Sequence, residues 1–372
     1  MADEKVQQPA GNPIFEVGSS EAVADPIRCG VIGLGRIGWC HHSQAIAQHG
    51  GFTLVAVCDL EADRREEARA ASGCATYERF EELLADANVE LVIVATQSID
   101  HERMAIAAAQ AGKHVLVEKP AAQSAAGIRR MMAAAQAAGK LLTMHHNYRL
   151  NPEFLYVREV IASGVLGRIF RIKRREQSFG RRNDWQTLRK YGGGMTGNWG
   201  IHLVDAGLQL LGADVADAWG HVQQIFNPGD AEDDIKAVVR GTNGVVLDID
   251  MTSACAVPEP RWVICGTHGT LWMDGKDARL RYFDPAALPD LPVNDLHLAL
   301  NRAYGPQPNP DIVPWQERSE PFRPTGTYPS FMDNLYAALR ECGPLLVEPA
   351  SALRSYEVLD AIRAGSRFAP GE

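Results

Sequence analysis

The chain has 372 residues, 46% hydrophobic and 22% charged, which suits two ordinary domains and excludes a disordered chain. Thirty-seven Lys and Arg against forty-six Asp and Glu give a formal charge of -9, which argues against a nucleic-acid or acidic-membrane partner. The longest apolar runs, such as 91–95, are too short for a bilayer; residues 1–25 lack the apolar centre of a secretory signal; and the seven cysteines form no Cys-x-x-Cys pair. A cytoplasmic protein with no membrane partner, no disulfide scaffold and no structural zinc is expected.

After an irregular leader, the run 27–33 reads as a central strand, followed by a glycine turn and a helix over 39–49. Strand 52–58 and helix 61–72 come next, then helix 80–85, strand 89–95, helix 101–111, strand 114–117, helix 124–138 and strand 141–145. Continuous apolar strands separated by amphipathic helices predict a parallel sheet covered on both faces. Beyond Pro152 the period changes: helix 153–162, strand 169–177, helix 201–211, then strands 218–226, 234–240, 245–252, 261–265 and 270–273. In the central one Val245, Leu247, Ile249 and Met251 share a face, so an antiparallel sheet with one helix-covered face is expected. Residues 285–329 are proline-rich and predict an ordered excursion without long regular elements, before helices over 330–342 and 350–363. The expected division is a leader at 1–25, a dinucleotide-binding domain at 26–147 and a substrate and oligomerisation domain at 148–349. A carboxyl-terminal helix and tail, 350–372, are expected to return toward the nucleotide domain.

Gly33-Leu34-Gly35-Arg36-Ile37-Gly38 is a Gly-x-Gly-x-x-Gly between the first strand and first helix. Gly33 suits the tight turn, Gly35 the close approach of a diphosphate and Gly38 close helix–strand packing. Asp59 ends the second strand, where it can accept bonds from both adenosine ribose hydroxyls or cap a helix; a carboxylate there favours NAD over NADP, with Arg64 and Arg65 leaving NADP open.

Together with this fingerprint, Thr96-Gln97-Ser98-Ile99-Asp100-His101, the run 111–120 ending in Glu118-Lys119-Pro120, Tyr148-Arg149, and the run 192–205 form an ordered set of motifs. In this set the chain resembles the glucose-fructose oxidoreductase, inositol dehydrogenase and rhizopine-catabolism family from Pro26 to the carboxyl end. The resemblance implies an α/β chain: an amino-terminal doubly wound Rossmann domain and a carboxyl-terminal α+β domain with a predominantly antiparallel open sheet. It also implies NAD bordered by Gly33, Gly35, Arg36, Ile37, Gly38, Asp59, Thr96, Gln97, His101, Glu118 and Lys119, a cis bond before Pro120, and a homodimer or homotetramer.

Oxidation of a secondary alcohol needs a base for the hydroxyl proton and stabilisation of charge on oxygen. Lys119 and His202 are the catalytic candidates, although His202 also reads as a structural histidine and Asn198 as a helix cap. The family often carries aspartate where this chain has Asn198, and asparagine supplies no carboxylate charge, so Asp205 becomes the alternative partner for His202. Tyr148, Arg149, Arg181, Trp185, Tyr191, Asn198 and Asp205 are the substrate-binding candidates for a carbohydrate or polyol. The adjacent His145 and His146 are expected near the domain junction and not as a zinc pair. The expected reaction is NAD-dependent oxidation of a sugar, sugar derivative or cyclic polyol. The alternatives are a glycosidase using NAD transiently through oxidation, elimination, water addition and reduction, and a nonenzymatic NAD-responsive regulator.

Overall fold

The computed structural model describes residues 25–290 and 313–370. All of the leader but Asp25, and the middle of the proline-rich stretch, lie outside the described residues.

Strands β1 (Ile27–Ile32), β2 (Phe52–Cys58), β3 (Ala75–Tyr77), β4 (Leu91–Val94), β5 (His114–Val117) and β6 (Leu142–Met144) form one parallel sheet, ordered β3-β2-β1-β4-β5-β6. Helices α1 (Gln44–Gln48), α2 (Ala62–Ser72), α3 (Phe80–Ala85), α4 (His101–Gln110) and α5 (Ala125–Ala138) alternate with these strands. Every residue of β4 is fully buried, which is why the strand reads as a continuous apolar run; each such side chain contributes about 1.5–3 kcal/mol. The doubly wound expectation holds. Two local differences have physical reasons. The first helix opens as a π-helical turn over Gly38–Ser43 before α1, and β3, three residues at the sheet edge with little burial, carries too little pattern to be read from sequence.

The order of strands reverses between β2 and β4 on either side of β1, and the loops after β1, β4 and β5 all open at that carboxyl edge. This is where open α/β sheets hold their ligands.

Helix α6 (Pro152–Ala162), capped by the Asn151 side chain accepting from Glu153 N, leads into the second sheet. Its strands are β7 (Ile169–Gln177), β8 (Val215–Gln223), β9 (Asp234–Gly241), β10 (Val246–Thr252), β11 (Trp262–Gly266), β12 (Gly269–Met273), β13 (Asp277–Tyr282) and β14 (Gln316–Pro321). They lie in the order β14-β13-β12-β11-β7-β10-β9-β8, antiparallel throughout except for the parallel pair β7 and β10. Leu247, Ile249 and Met251 are buried on the inner face beneath α7 (Ile201–Leu211), as their alternation predicts.

Strand β14 is a short element within the stretch 285–329, where no long regular element is expected. All six of its residues are exposed and it pairs with β13 along the backbone, so no apolar alternation marks it.

Helices α8 (Phe331–Arg340) and α9 (Pro349–Arg363) end the described chain. Helix α9 ties the two sheets together. Tyr356 Oη accepts from Ala121 N at 2.6 Å and Asp360 Oδ2 from Ala125 N at 2.8 Å, while Ile362 packs at Gly220 of β8. Among the described residues no helix is long and apolar enough to cross a membrane.

Candidate active site

The glycine loop is built as its spacing predicts. Gly33 has φ +94°, a left-handed conformation that favours glycine, and a Cβ on Gly38 would collide with the Gly33 carbonyl oxygen. A Cβ on Gly35 would meet nothing within 4 Å, so open space lies above the loop where a diphosphate would approach. Asp59, at the end of β2, accepts from Leu34 N at 2.7 Å and from Glu61 N at 2.9 Å. Its carboxylate therefore sits against the glycine loop, with Arg64 Nη1 3.4 Å away. These residues fit a dinucleotide: a backbone cradle with an acidic group beside it. Arg36 and Ile37 are exposed on the loop, and Thr96 and Gln97 are half-buried after β4. His101 is buried, and its ring nitrogens face the carbonyl oxygens of Pro120 at 2.8 Å and Thr96 at 3.0 Å. It braces the two loops that wall the crevice.

Lys119 follows β5, with a cis peptide bond to Pro120. Its Nζ donates to the main-chain oxygen and to Oδ1 of Asn198, both at 3.0 Å. Burial pulls the Lys119 ammonium below its ordinary pKa; Glu118 opposes that shift, and Arg182 and Arg36 add to it.

Asn198 lies in a π-helical turn, Thr196–Gly200, that runs directly into α7. Asn198 is inside the helical run, so it does not cap it. His202, on α7, is buried; its ring stacks on Tyr148 with centroids 4.2 Å apart, and Trp199 packs edge-on to Tyr148 at 5.6 Å. Burial, together with the charges of Lys119 and His146, holds His202 well below the usual histidine value, so it is uncharged at neutral pH. Its Nδ1 is buried without a hydrogen-bond partner. Burial pushes the Tyr148 phenol up to about 12, with Glu176 adding to the shift.

Asp205 engages Arg149 and not His202. Arg149 donates to it from Nε at 2.8 Å and from Nη2 at 2.6 Å, Ser355 Oγ donates at 3.1 Å, and His146 Nδ1 lies 3.2 Å away. Arg149 also donates to Leu346 O, so this pair is buried between α7, α9 and the turn after β6. Burial raises the Asp205 carboxyl, but His146 and Arg149 outweigh it and hold it well below the carboxylate range.

Glu118 points away from the loop surface into a cluster of imidazoles. His42 Nε2 donates to its Oε1 at 2.8 Å and His145 Nδ1 at 2.6 Å, while Lys119 N donates to Oε2 at 3.0 Å. The ligand-type atoms of His42, Glu118 and His145 lie within 4.8 Å of one another, and the His41 and His145 ring centroids are 5.2 Å apart. Burial raises the Glu118 carboxyl, yet His145 and His42 together keep it well below its usual value. His145 and His146, although adjacent, thus serve different carboxylates.

The remaining candidates sit on the loop between β7 and the π-helical turn. Trp185 and Tyr191 are half-buried, Tyr191 O accepts from Ile99 N at 3.2 Å, and Arg181 lies exposed over the Phe226 ring. Sequence reading overlooked Gln186, whose Oε1 accepts from Asn198 Nδ2 at 2.9 Å. The available signal was Asp184, a turn-capping residue two positions earlier, whose Oδ1 accepts from Gln186 N. His42 was overlooked as well; only its place one turn after the glycine loop marks it.

The family model described as an oxidoreductase family with an NAD-binding Rossmann fold matches residues 27–146, and the GFO/IDH/MocA C-terminal domain matches residues 154–272. The chain belongs to the GFO/IDH/MocA family. It is therefore an oxidoreductase with an NAD-binding domain. Among relatives of this GFO/IDH/MocA protein, a myo-inositol 2-dehydrogenase of Thermotoga maritima is 28% identical over 67% of this chain and 75% of its own length. The WlbA dehydrogenase of Bordetella pertussis, solved in complex with NADH and UDP-GlcNAcA, is 25% identical, covers 92% of this chain and 97% of its own, and superposes with a TM-score of 0.72. An NAD-binding protein of Listeria innocua shares the fold with a TM-score of 0.77 at 24% identity, over 92% of this chain and 96% of its own.

Proposed function

We propose that this chain oxidises a secondary hydroxyl of a sugar, sugar derivative or cyclic polyol by hydride transfer to NAD. The observation that carries the reading is the convergence of Lys119, Asn198, His202 and Tyr148 beside the glycine-loop crevice. A relative named as a myo-inositol 2-dehydrogenase and the WlbA dehydrogenase solved with UDP-GlcNAcA support the substrate class. Asp59 favours NAD over NADP, because its carboxylate would repel a 2′-phosphate.

NAD, when bound, supplies the hydride acceptor. Lys119 places a positive charge beside the reacting oxygen and stabilises the negative charge that develops there. His202, uncharged at neutral pH, takes the hydroxyl proton. Tyr148 fixes the His202 ring by stacking. Asp205 and Arg149 act beneath the site by anchoring α7, and Arg181, Trp185 and Tyr191 face the substrate from the loop above.

Assembly as a homo-oligomer is part of this proposal. The outer face of the second sheet carries Trp219, 59% exposed, with half-buried Val238 and Val246, a surface suited to a second copy. Light scattering over a concentration series reads this directly, and a monomer at micromolar concentration would reject it.

The test of function is to incubate the protein with NAD and a panel of inositols, free sugars, nucleotide sugars and glycosides in deuterated water, following reduced cofactor and analysing products by NMR. Net NADH with an oxo-sugar or oxo-polyol product is expected. Aglycone release without net NADH, with deuterium beside the transiently oxidised carbon, would overturn it in favour of a glycosidase.

A further inference from the structure

An asparagine facing a lysine has a right and a wrong orientation. Its carbonyl end accepts from the ammonium, whereas its amino end would direct partial positive charge at it. A carboxylate at the same place has two equivalent oxygens and needs no such choice. Lys119 Nζ lies 3.0 Å from Asn198 Oδ1, so the amide must be held with Nδ2 turned away. That Nδ2 donates to Gln186 Oε1 at 2.9 Å.

Gln186 is itself fixed through both its main-chain N–H and its carbonyl. Gln186 N donates to Asp184 Oδ1 at 3.0 Å, and Asp184 is in turn gripped by Arg182 from Nε at 2.8 Å and Nη2 at 2.9 Å. Gln186 O accepts at 2.9 Å from the amide of Gly194, whose own carbonyl receives Asn198 N at 3.1 Å. The loop and the helical turn therefore set the distance between the two amide side chains before any ligand arrives.

We infer that Gln186 is a positioning residue that selects the orientation of the Asn198 amide and so presents its carbonyl oxygen to Lys119. This rests on the reading that Lys119 stands at the reacting hydroxyl. It supplies what a carboxylate would otherwise provide, a dependable acceptor for the lysine, without adding a second negative charge beside an ammonium that already feels Glu118.

The test compares the parent, Gln186→Met, Asn198→Asp and the double variant, with Gln186→Glu as the conservative control. Each is labelled with lysine enriched in carbon-13 at Cε and titrated by NMR with NAD bound, the Lys119 resonance being assigned with Lys119→Arg. In the parent background Gln186→Met removes the acceptor that orients the amide, and the Lys119 midpoint should fall by about one pH unit. In the Asn198→Asp background, where the carboxylate is symmetric, the same substitution should leave the midpoint within about 0.3 unit. Gln186→Glu, which keeps the acceptor, should leave the midpoint at or above the parent value. On a member of the sugar and polyol panel that the parent turns over, kcat/KM should fall about tenfold for Gln186→Met in the parent background and less than about twofold in the Asn198→Asp background. Equal shifts in both backgrounds would mean that Gln186 acts only by holding its loop; no shift in either would mean that it does not orient Asn198. Either result overturns the inference. The titration needs no substrate, so failure to turn over any sugar or polyol would count against the proposed reaction and leave this coupling to be read separately.

Discussion

Lys119 meets Asn198 through two bonds of equal length, from one Nζ to the main-chain oxygen and to Oδ1, each 3.0 Å. The strand end of the first sheet and the helical turn of the second region are joined at the point where the hydroxyl chemistry is proposed. Lys119→Met keeps most of the side-chain volume and removes the charge. It should lower kcat by at least about tenfold, a loss of about 1.4 kcal/mol or more in the chemical step. Steady-state kinetics with calorimetric NAD binding checks this; turnover equal to the parent would remove Lys119 from the chemistry.

Asp59 touches the glycine loop through Leu34 N and lies at the surface of its crevice. Asp59→Ala should weaken NAD binding by about tenfold, since charge-assisted hydrogen bonds to the ribose would be lost. Calorimetry measures the affinity and circular dichroism the fold. Unchanged affinity in a folded variant would show that the ribose lies elsewhere.

Arg149 and Asp205 make a different prediction from the surface candidates. Both are almost fully buried, 5% and 2% exposed, and they share two short hydrogen bonds. Arg149→Met leaves Asp205 as a buried charge without its main partner, which should cost about 3–5 kcal/mol of stability. A direct substrate role would instead raise KM with little change in unfolding. Denaturant unfolding beside KM separates the two roles.

Stability should fall with acid before the carboxylates titrate. Burial, aided by His145 and His42, lowers His41 to about 3, and burial likewise lowers His42 and His202 from the ordinary 6.5. A histidine depressed in the folded state binds its proton more readily when unfolded. Its contribution is complete above the unfolded value and is lost as pH drops through 6.5 toward the folded value. Each such group contributes a slope of up to about 1.4 kcal/mol per pH unit in that window. Urea midpoints should therefore decline from about pH 7.5 to about pH 5.5, and His41→Gln should flatten the decline. Midpoints independent of pH over that range would contradict the lowered values of His41, His42 and His202.

Most of the fold is legible along the chain, because the elements that build it carry their own periodicity. Strands β2 and β5 and helices α3 and α7 begin and end where their apolar patterns do. The glycine loop was equally legible, since Gly33 and Gly38 are demanded by backbone conformation and close approach within a few residues of chain. What pattern could not carry is pairing without a hydrophobic signal: the exposed strand β14 is defined only by hydrogen bonds to β13. The partners of the polar side chains were decided by tertiary structure alone. Asp205, three residues from His202 on one helix, engages Arg149 and Ser355 instead, and Lys119 meets Asn198 across 79 positions of chain. Helical spacing tells which side chains share a face, but a buried charge is matched by whatever donor the packing of other elements brings within hydrogen-bond reach, and that choice is made only when the two sheets and α9 come together.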